Sequence, residues 1–407
     1  MGILKVKELS IDESDPKTTI GIALSGGGSR AIAFHLGCLR TLHKHGILEE
    51  CAVLSCVSGG SVIGAAYVTH RGSFDSFEQK ITDILRSGLF LPTIRTAFTS
   101  AEGAKVVVSF IIHLTAFAWR LLTAFPLWLY TKVMRGVFGV VDGKHEVRRM
   151  PRRRASRTTL IARTLDRILF AGATLKDLEN TSPKFIATAA ELRTGAAFYF
   201  SPVESGCWRF GKVTPDQIPL STAVAASAAY PLFLPAIDEV FSFHRLDGSV
   251  RRDRVTLTDG GVYDNLGLAP LWPDRDPKIS VTVPIPDTII ACRAGYGLRL
   301  DQPSLFWVSR MTASFFTIFD RAQNAALKRL FDLKADRRLK RILLPYLGQS
   351  DQRLGAPPTD LVRREEVDGY PTDFFAMSDD WIAKLSKRGE QVTLTVLKEH
   401  HPELLRC

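Results

Sequence analysis

Two apolar runs near the start of the chain share one pattern. Thr19 to Leu24 (TIGIAL) predicts a short strand, closed by Ser25 and the glycines Gly26-Gly27-Gly28. Ile32, Leu36, Leu39 and Leu42 then recur at helical spacing, which predicts a helix over Ala31 to His45 with Gly46 as its C-terminal cap. Cys51 to Val57 predicts a second buried strand, followed by Ser58-Gly59-Gly60 and a helix of small residues, Ser61 to Thr69. Phe74 to Leu91 reads as a further amphipathic helix.

The pattern changes at Val106 to Tyr130, VVVSFIIHLTAFAWRLLTAFPLWLY, where only Arg120 is fully charged. The uncharged stretch Val106 to Trp119 falls short of the ~18 residues of a clean membrane span, and Pro126 is expected to kink or end a helix. Phe117, Trp119, Phe125, Trp128 and Tyr130 suit a water–lipid boundary. Arg148, Arg149, Arg152, Arg153, Arg154 and Arg157 follow as a basic cluster. Together they point to docking on an anionic membrane, in preference to spanning it or forming a core or lid helix.

Beyond the insert, strands and helices alternate again. Helical spacing returns over Leu160 to Phe170, and strands are expected at Phe185 to Ala190, Gly195 to Ser201, Val255 to Thr258 and within Asp287 to Cys292. Leu220 to Ala229 is a small-residue helix ended by Tyr230-Pro231, and Leu305 to Phe331 a long aromatic-rich helix. The alternation predicts an α/β fold around a mostly parallel or mixed sheet. The expected organisation is an arm at 1–18, a catalytic domain at 19–300 with an insertion at about 100–158, and a helical, basic extension at 301–407.

Composition sharpens this picture. An apolar fraction of 45% supports a substantial core, and a net charge of +11 favours acidic partners such as anionic lipid or nucleic acid. The arginine cluster adjoins apolar sequence rather than a nucleic-acid module, so lipid is the expected partner and nucleic acid is not. The six cysteines show no CxxC pair, disulfide framework or metal-ligand spacing, so neither a metal nor a cofactor is expected. The first residues carry no secretory apolar core, and an intracellular, peripherally membrane-associated protein is expected.

The two glycine turns carry the candidate chemistry. Ser58 lies between an apolar strand and a small-residue helix, the setting of a nucleophile elbow, although Cys56 stands where the first glycine of G-x-S-x-G is usual. The N–H groups of Gly26, Gly27, Gly28 and Gly59 can cradle an oxyanion, and Arg30 can support the loop or substrate. The serine needs a base. His35, His244, His400 and His401 are possible, but Asp259 ends an apolar strand before Gly260-Gly261 and can share a sheet edge with Ser58. A competing reading takes Gly26-x-Gly28-x-x-Ala31 as a dinucleotide fingerprint with Glu49 or Glu50 as the ribose acid. Those glutamates precede the second strand instead of ending it, which weighs against it.

Taken together, these residues resemble the patatin-like phospholipase family. Gly26-Gly27-Gly28-Ser29-Arg30 is similar to its G-G-G-x-[KR] motif, Val57-Ser58-Gly59-Gly60 to its elbow, and Asp259-Gly260-Gly261 to its D-G-[GA] motif. Ser221 to Ala236 resembles its small-residue helix, and Thr188 to Ser201 its central strand and hairpin. The resemblance covers roughly Thr19 to Cys292 without the insert. It implies a three-layer α/β/α fold with an apolar and basic helical insertion. It also implies a Ser58–Asp259 dyad without a catalytic histidine, and hydrolysis of fatty-acyl esters of phospholipids or neutral lipids. A catalytically inactive membrane-binding scaffold on the same fold is the alternative from another class. Headgroup, acyl position, acyl acceptor and oligomeric state are not legible in the sequence.

Overall fold

The computed structural model describes residues 18–138, 151–231, 233–276, 280–297 and 305–406. Side chains at 124–125, 127–128, 130–138 and 217 fall outside that description. The core begins with β1 (Ile20–Leu24), α1 (Gly28–Lys44), β2 (Cys51–Cys56) and α2 (Gly59–Thr69). Both helices start earlier than the apolar spacing predicts, because the glycines themselves form their first turns. The expected helix over Phe74 to Leu91 is two helices, α3 (Phe74–Ser87) and α4 (Phe90–Thr99). Gly88 at φ 60° ends the first, and Leu89 N–H leaves the helix for the Phe374 carbonyl at 2.8 Å.

The insert forms α5 (Ala101–Phe138), a helix that continues through Pro126 instead of ending there. Next come α6 (Arg157–Leu165), β3 (Lys184–Glu191), β4 (Ala196–Phe200), β5 (Ser205–Cys207), β6 (Gly211–Val213) and α7 (Leu220–Ser227). The chain then runs through β7 (Ile237–His244), β8 (Val250–Asp259), α8 (Gly261–Asp264), β9 (Thr288–Cys292) and α9 (Trp307–Ala335). It ends with β10 (Arg341–Leu343), α10 (Arg364–Val367) and α11 (Asp379–His400). The β7–β8 hairpin extends the expected Val255 to Thr258 strand at its N-terminal end; its tip is polar and charged, so apolar runs do not mark it.

The strands form one mixed sheet in the order β10-β9-β1-β2-β3-β4-β5-β6-β7-β8. Strands β10, β9, β1, β2 and β3 are parallel neighbours, and the rest are antiparallel. Apolar clusters cover both faces of the sheet, as its nearly continuous apolar strands require. This is the expected three-layer α/β/α arrangement. The segment after residue 300 is not appended to it: β10 extends the sheet beside β9, and α11 lies on α1. That crossing is close because Gly37 and Gly389 have no side chain. A Cβ on Gly37 would overlap the Ser386 carbonyl, and one on Gly389 the Phe34 carbonyl.

The register of β3 positions the site. Its first half pairs with β2, with Ala187 opposite Cys56, and its second half pairs with β8, with Ala189 opposite Asp259. One strand therefore splints the end of the Ser58 strand to the end of the Asp259 strand.

Candidate active site

Ser58 occupies the turn between β2 and α2 with φ 52° and ψ −120°, a conformation few side-chain-bearing residues adopt. Close packing around it fixes the strain. A Cβ on Gly59 would overlap the Gly28 carbonyl, and one on Gly60 the Leu24 carbonyl. Cys56, where glycine is usual, is accommodated by Gly64, whose missing side chain leaves room for its sulfur. Ser58 N–H donates to Ser227 Oγ at 3.0 Å, and Ser61 Oγ lies 2.8 Å from the same hydroxyl.

The base candidate sits opposite. Asp259 is 4% exposed and Ser58 6%. Ser58 lies near enough to the Asp259 carboxyl to favour its charged form, and Asp259 Oδ1 accepts the Gly261 N–H at 2.7 Å. Burial pushes the Asp259 pKa up to about 7, against the smaller lowering from these two neighbours. None of the four histidines competes for this place. His35 is fully buried and bonds the Ser25 carbonyl, His244 lies on β7 paired with Val250, and His400 and His401 end α11.

The first glycine turn divides its tasks. Gly26 N–H donates to the Asn265 carbonyl at 3.0 Å, so it is not a free oxyanion donor, which corrects its place among the four expected oxyanion glycines. Its lack of a side chain instead lets Asn265 and Ser58 approach. Gly27, at φ 146°, precedes α1, Gly28 opens α1 and Gly59 opens α2. The N–H groups at such helix starts have no acceptor within their own helix and carry partial positive charge. Arg30 is buried and supports the loop: Nε donates to the Ala294 carbonyl and Nη1 to the Tyr370 carbonyl, both at 3.0 Å, and its guanidinium lies over the Tyr296 ring. The dinucleotide reading fits poorly here. Ser29 N–H, at the start of α1, donates to the Asp373 carbonyl at 2.7 Å, and Glu50 pairs with Arg406.

Several participants escape sequence reasoning. Ser227 takes the Ser58 N–H on its hydroxyl and the Gly260 N–H on its carbonyl, the latter at 3.1 Å. Asn265 links the glycine turn to α9 by donating from Nδ2 to Gln323 Oε1 at 3.2 Å. Its loop is held by the half-buried Asp264 carboxylate, which accepts the Leu266, Gly267 and Ala269 N–H groups. Asn265 lies six residues after Asp259 in an ordinary-looking loop, and Ser227 is one of two serines in a helix of small residues, so neither stands out by type.

The insert presents its apolar side chains outward. Trp119 is 65% exposed and Leu122 72%, with Val107, Phe110, Ile111 and Phe117 also exposed. Ala101–Thr123 is long and apolar enough to cross a membrane by length and composition. Among the basic residues, Arg152 is tied to the Asp238 carbonyl and to Glu239, and Arg153 N–H to the Asp238 carboxylate, whereas Arg154 and Arg157 are exposed. Arg148, Arg149 and the Trp128 side chain lie outside the described residues.

Fold and site together define an α/β protein with a strained elbow serine facing a buried aspartate. The chain belongs to the patatin-like phospholipase family: the family model matches residues 22–272. Among solved structures, human group IVD cytosolic phospholipase A2 is similar at 12% identity and a TM-score of 0.50, over 94% of this chain and 61% of that one. VipD from Legionella pneumophila matches at 12% identity and a TM-score of 0.39, over 98% of this chain and 72% of that one. The effector ExoU matches at 16% identity and a TM-score of 0.31, over 94% and 53%. At 12% identity the likeness to the human enzyme is one of fold, and this chain spans about three fifths of that enzyme's length. No curated protein sequence matches the chain.

Proposed function

We propose that the chain is a serine lipid acyl hydrolase that cleaves fatty-acyl esters at a membrane surface through Ser58 and Asp259. The observation that carries the reading is the placement of a buried carboxyl, its pKa raised to about 7, and a strained elbow serine on the two sides of Ser227, which bonds the backbone of both turns. A carboxylate of ordinary pKa is a weak base, and raising it toward the working pH improves proton transfer.

Ser58 Oγ attacks the ester carbonyl while its proton passes to Asp259. The carbonyl oxygen becomes an oxyanion held by the N–H groups of Gly27, Gly28 and Gly59. Collapse breaks the C–O bond, and the leaving alkoxide takes the proton from Asp259. Water, deprotonated in turn by Asp259, attacks the acyl-serine, and fatty acid leaves with the serine restored. No histidine is needed, because one carboxyl serves as base and then acid in each half.

Support for the lipid surface comes from the outward apolar side chains of α5 and the exposed Arg154 and Arg157 beside it. The phospholipid or neutral-lipid ester is thus presented from the bilayer, and anionic lipid is the favoured docking partner.

The test is labelling by a fluorophosphonate serine probe. Wild type should label, Ser58→Ala should not, and Asp259→Asn should label far more slowly while remaining folded. A folded wild type that fails to label with and without liposomes would favour the inactive scaffold.

A further inference from the structure

Behind the first glycine turn, three donor atoms converge in the core. His35 and Cys38 lie one turn apart on α1, and Cys292 ends β9 directly opposite Leu24 of β1. One imidazole nitrogen and two sulfurs stand within 4.8 Å of one another, all fully buried. Donors sharing one ion at bond lengths of about 2.0–2.3 Å stand about 3.5–4 Å apart, so closing this triangle takes side-chain shifts of about an ångström or less.

The imidazole is already oriented. His35 Nε2 lies 2.9 Å from the Ser25 carbonyl oxygen. A carbonyl only accepts, so Nε2 carries the proton and Nδ1 presents its lone pair. That Nδ1 is buried and has no hydrogen-bond partner among the described residues. A histidine that donates one ring N–H to a backbone carbonyl and offers the other nitrogen is the usual arrangement of a metal ligand. Buried polar atoms without partners are rare in folded proteins, and a bound ion is one of the few things that satisfies a lone pair.

We propose that His35, Cys38 and Cys292 form a site for a thiophilic divalent cation, Zn²⁺ by its chemistry. Two thiolates neutralise a divalent charge, so the complex is neutral and compatible with its apolar surroundings. Thiolate and imidazole donors suit Zn²⁺ and disfavour Mg²⁺ or Ca²⁺. Three protein ligands leave the fourth tetrahedral position to a small ligand. The role is to brace the oxyanion loop. Ser25, adjacent to Gly26, accepts from His35 and donates its N–H to the Cys292 carbonyl at 3.2 Å, so two of the three ligands grip one residue of that loop.

The test uses the full chain, reduced, stripped with chelator and titrated with Co²⁺ and then Zn²⁺. One equivalent of Co²⁺ should give thiolate-to-cobalt charge-transfer absorption, and Zn²⁺ should displace it and raise the melting temperature. Cys38→Ser and Cys292→Ser should each weaken binding by about a hundredfold or more, whereas Cys51→Ser should bind like wild type. Cys51 is buried but lies outside the triangle, bonded to the Val53 carbonyl. The wild-type absorption and thermal shift keep the test decisive if a variant misfolds. A folded wild type with neither response overturns the proposal, as does absorption that survives when both cysteines are replaced. A mass two hydrogens lighter, restored by reductant and not by chelator, would reveal a Cys38–Cys292 disulfide and overturn it too.

Discussion

Ser227 holds Ser58 in place from a different element. Its hydroxyl accepts the Ser58 N–H at 3.0 Å, while its carbonyl accepts the N–H of Gly260, the residue after Asp259. One residue of α7 therefore bonds the backbone of both turns and sets the separation of the proposed nucleophile and base. Ser227→Ala leaves a buried donor unsatisfied, at a cost of about 1–3 kcal/mol of stability. The same loss frees the elbow, so kcat on a soluble ester should fall roughly tenfold or more with KM little changed. Denaturant melts and steady-state kinetics on one preparation check both. Unchanged kcat in a destabilised protein would show that Ser227 supports the fold only.

The backbone at Ser58 stores strain. A non-glycine residue in such a conformation costs on the order of 1–3 kcal/mol. Ser58→Gly removes the strain together with the hydroxyl. It should raise stability by about 1 kcal/mol and abolish labelling, whereas Ser58→Ala should abolish labelling without that gain. Thermal melts of the two variants, side by side, separate strain from the loss of the side chain.

Gly59 combines two constraints. Its N–H opens α2 toward the proposed oxyanion, and any side chain there meets the Gly28 carbonyl. Gly59→Ala must therefore push the two glycine turns apart. The loss of one donor's alignment is worth about 2.7–4 kcal/mol in the barrier, so turnover should drop by about a hundredfold or more. Active-site titration checks this, since a merely unfolded fraction would lower the number of labelled sites and leave turnover per site unchanged.

The residues proposed to bear the chemistry were legible because each needs a peculiar neighbour. Glycines beside Ser58 and Asp259 signal turns that side chains would block, and the apolar runs before them signal strands. The residues that position them were not. Ser227, Asn265 and the Asp373 carbonyl act through partners far along the chain, and their types are common in loops and small-residue helices. The His35, Cys38 and Cys292 triangle was hidden for the same reason: one helix supplies two members, and a distant strand the third. Arg30 read as a support for the loop or substrate, but its partners were hidden, because Ala294 and Tyr370 come from segments whose packing no local pattern announces.

The exposed face of α5 makes a prediction about where the protein works. Each large apolar side chain withdrawn from lipid forfeits about 1.5–3 kcal/mol. Replacing Phe117, Trp119 and Leu122 together by serine should lower vesicle partitioning by at least about a hundredfold. Activity on a soluble short-chain ester should persist, because these residues lie on the insert and outside the site. Equal losses on both substrates would point instead to a packing role for the helix.

Asp259 makes the last prediction, in which stability and activity move oppositely with pH. Its folded pKa, about 7, lies above the ordinary carboxylate value of 3.8. Between those values the folded state holds a proton that the unfolded state has released. Its contribution is therefore most stabilising at low pH and is lost as pH rises from about 4 toward 7. The full shift corresponds to about 4 kcal/mol, an upper bound, since relaxation of the site reduces it. Asp259→Asn keeps a neutral side chain of the same shape, so it should be more stable than wild type by a margin that widens over that range and levels off above pH 7. Activity should run the other way, because the base must be deprotonated to accept the serine proton. In wild type, kcat/KM should rise with pH through an apparent pKa near 7 and then flatten. Urea melts from pH 4 to 8, paired with the kcat/KM profile, check both arms. A wild-type rate already at its plateau at pH 5 would remove Asp259 from the role of base.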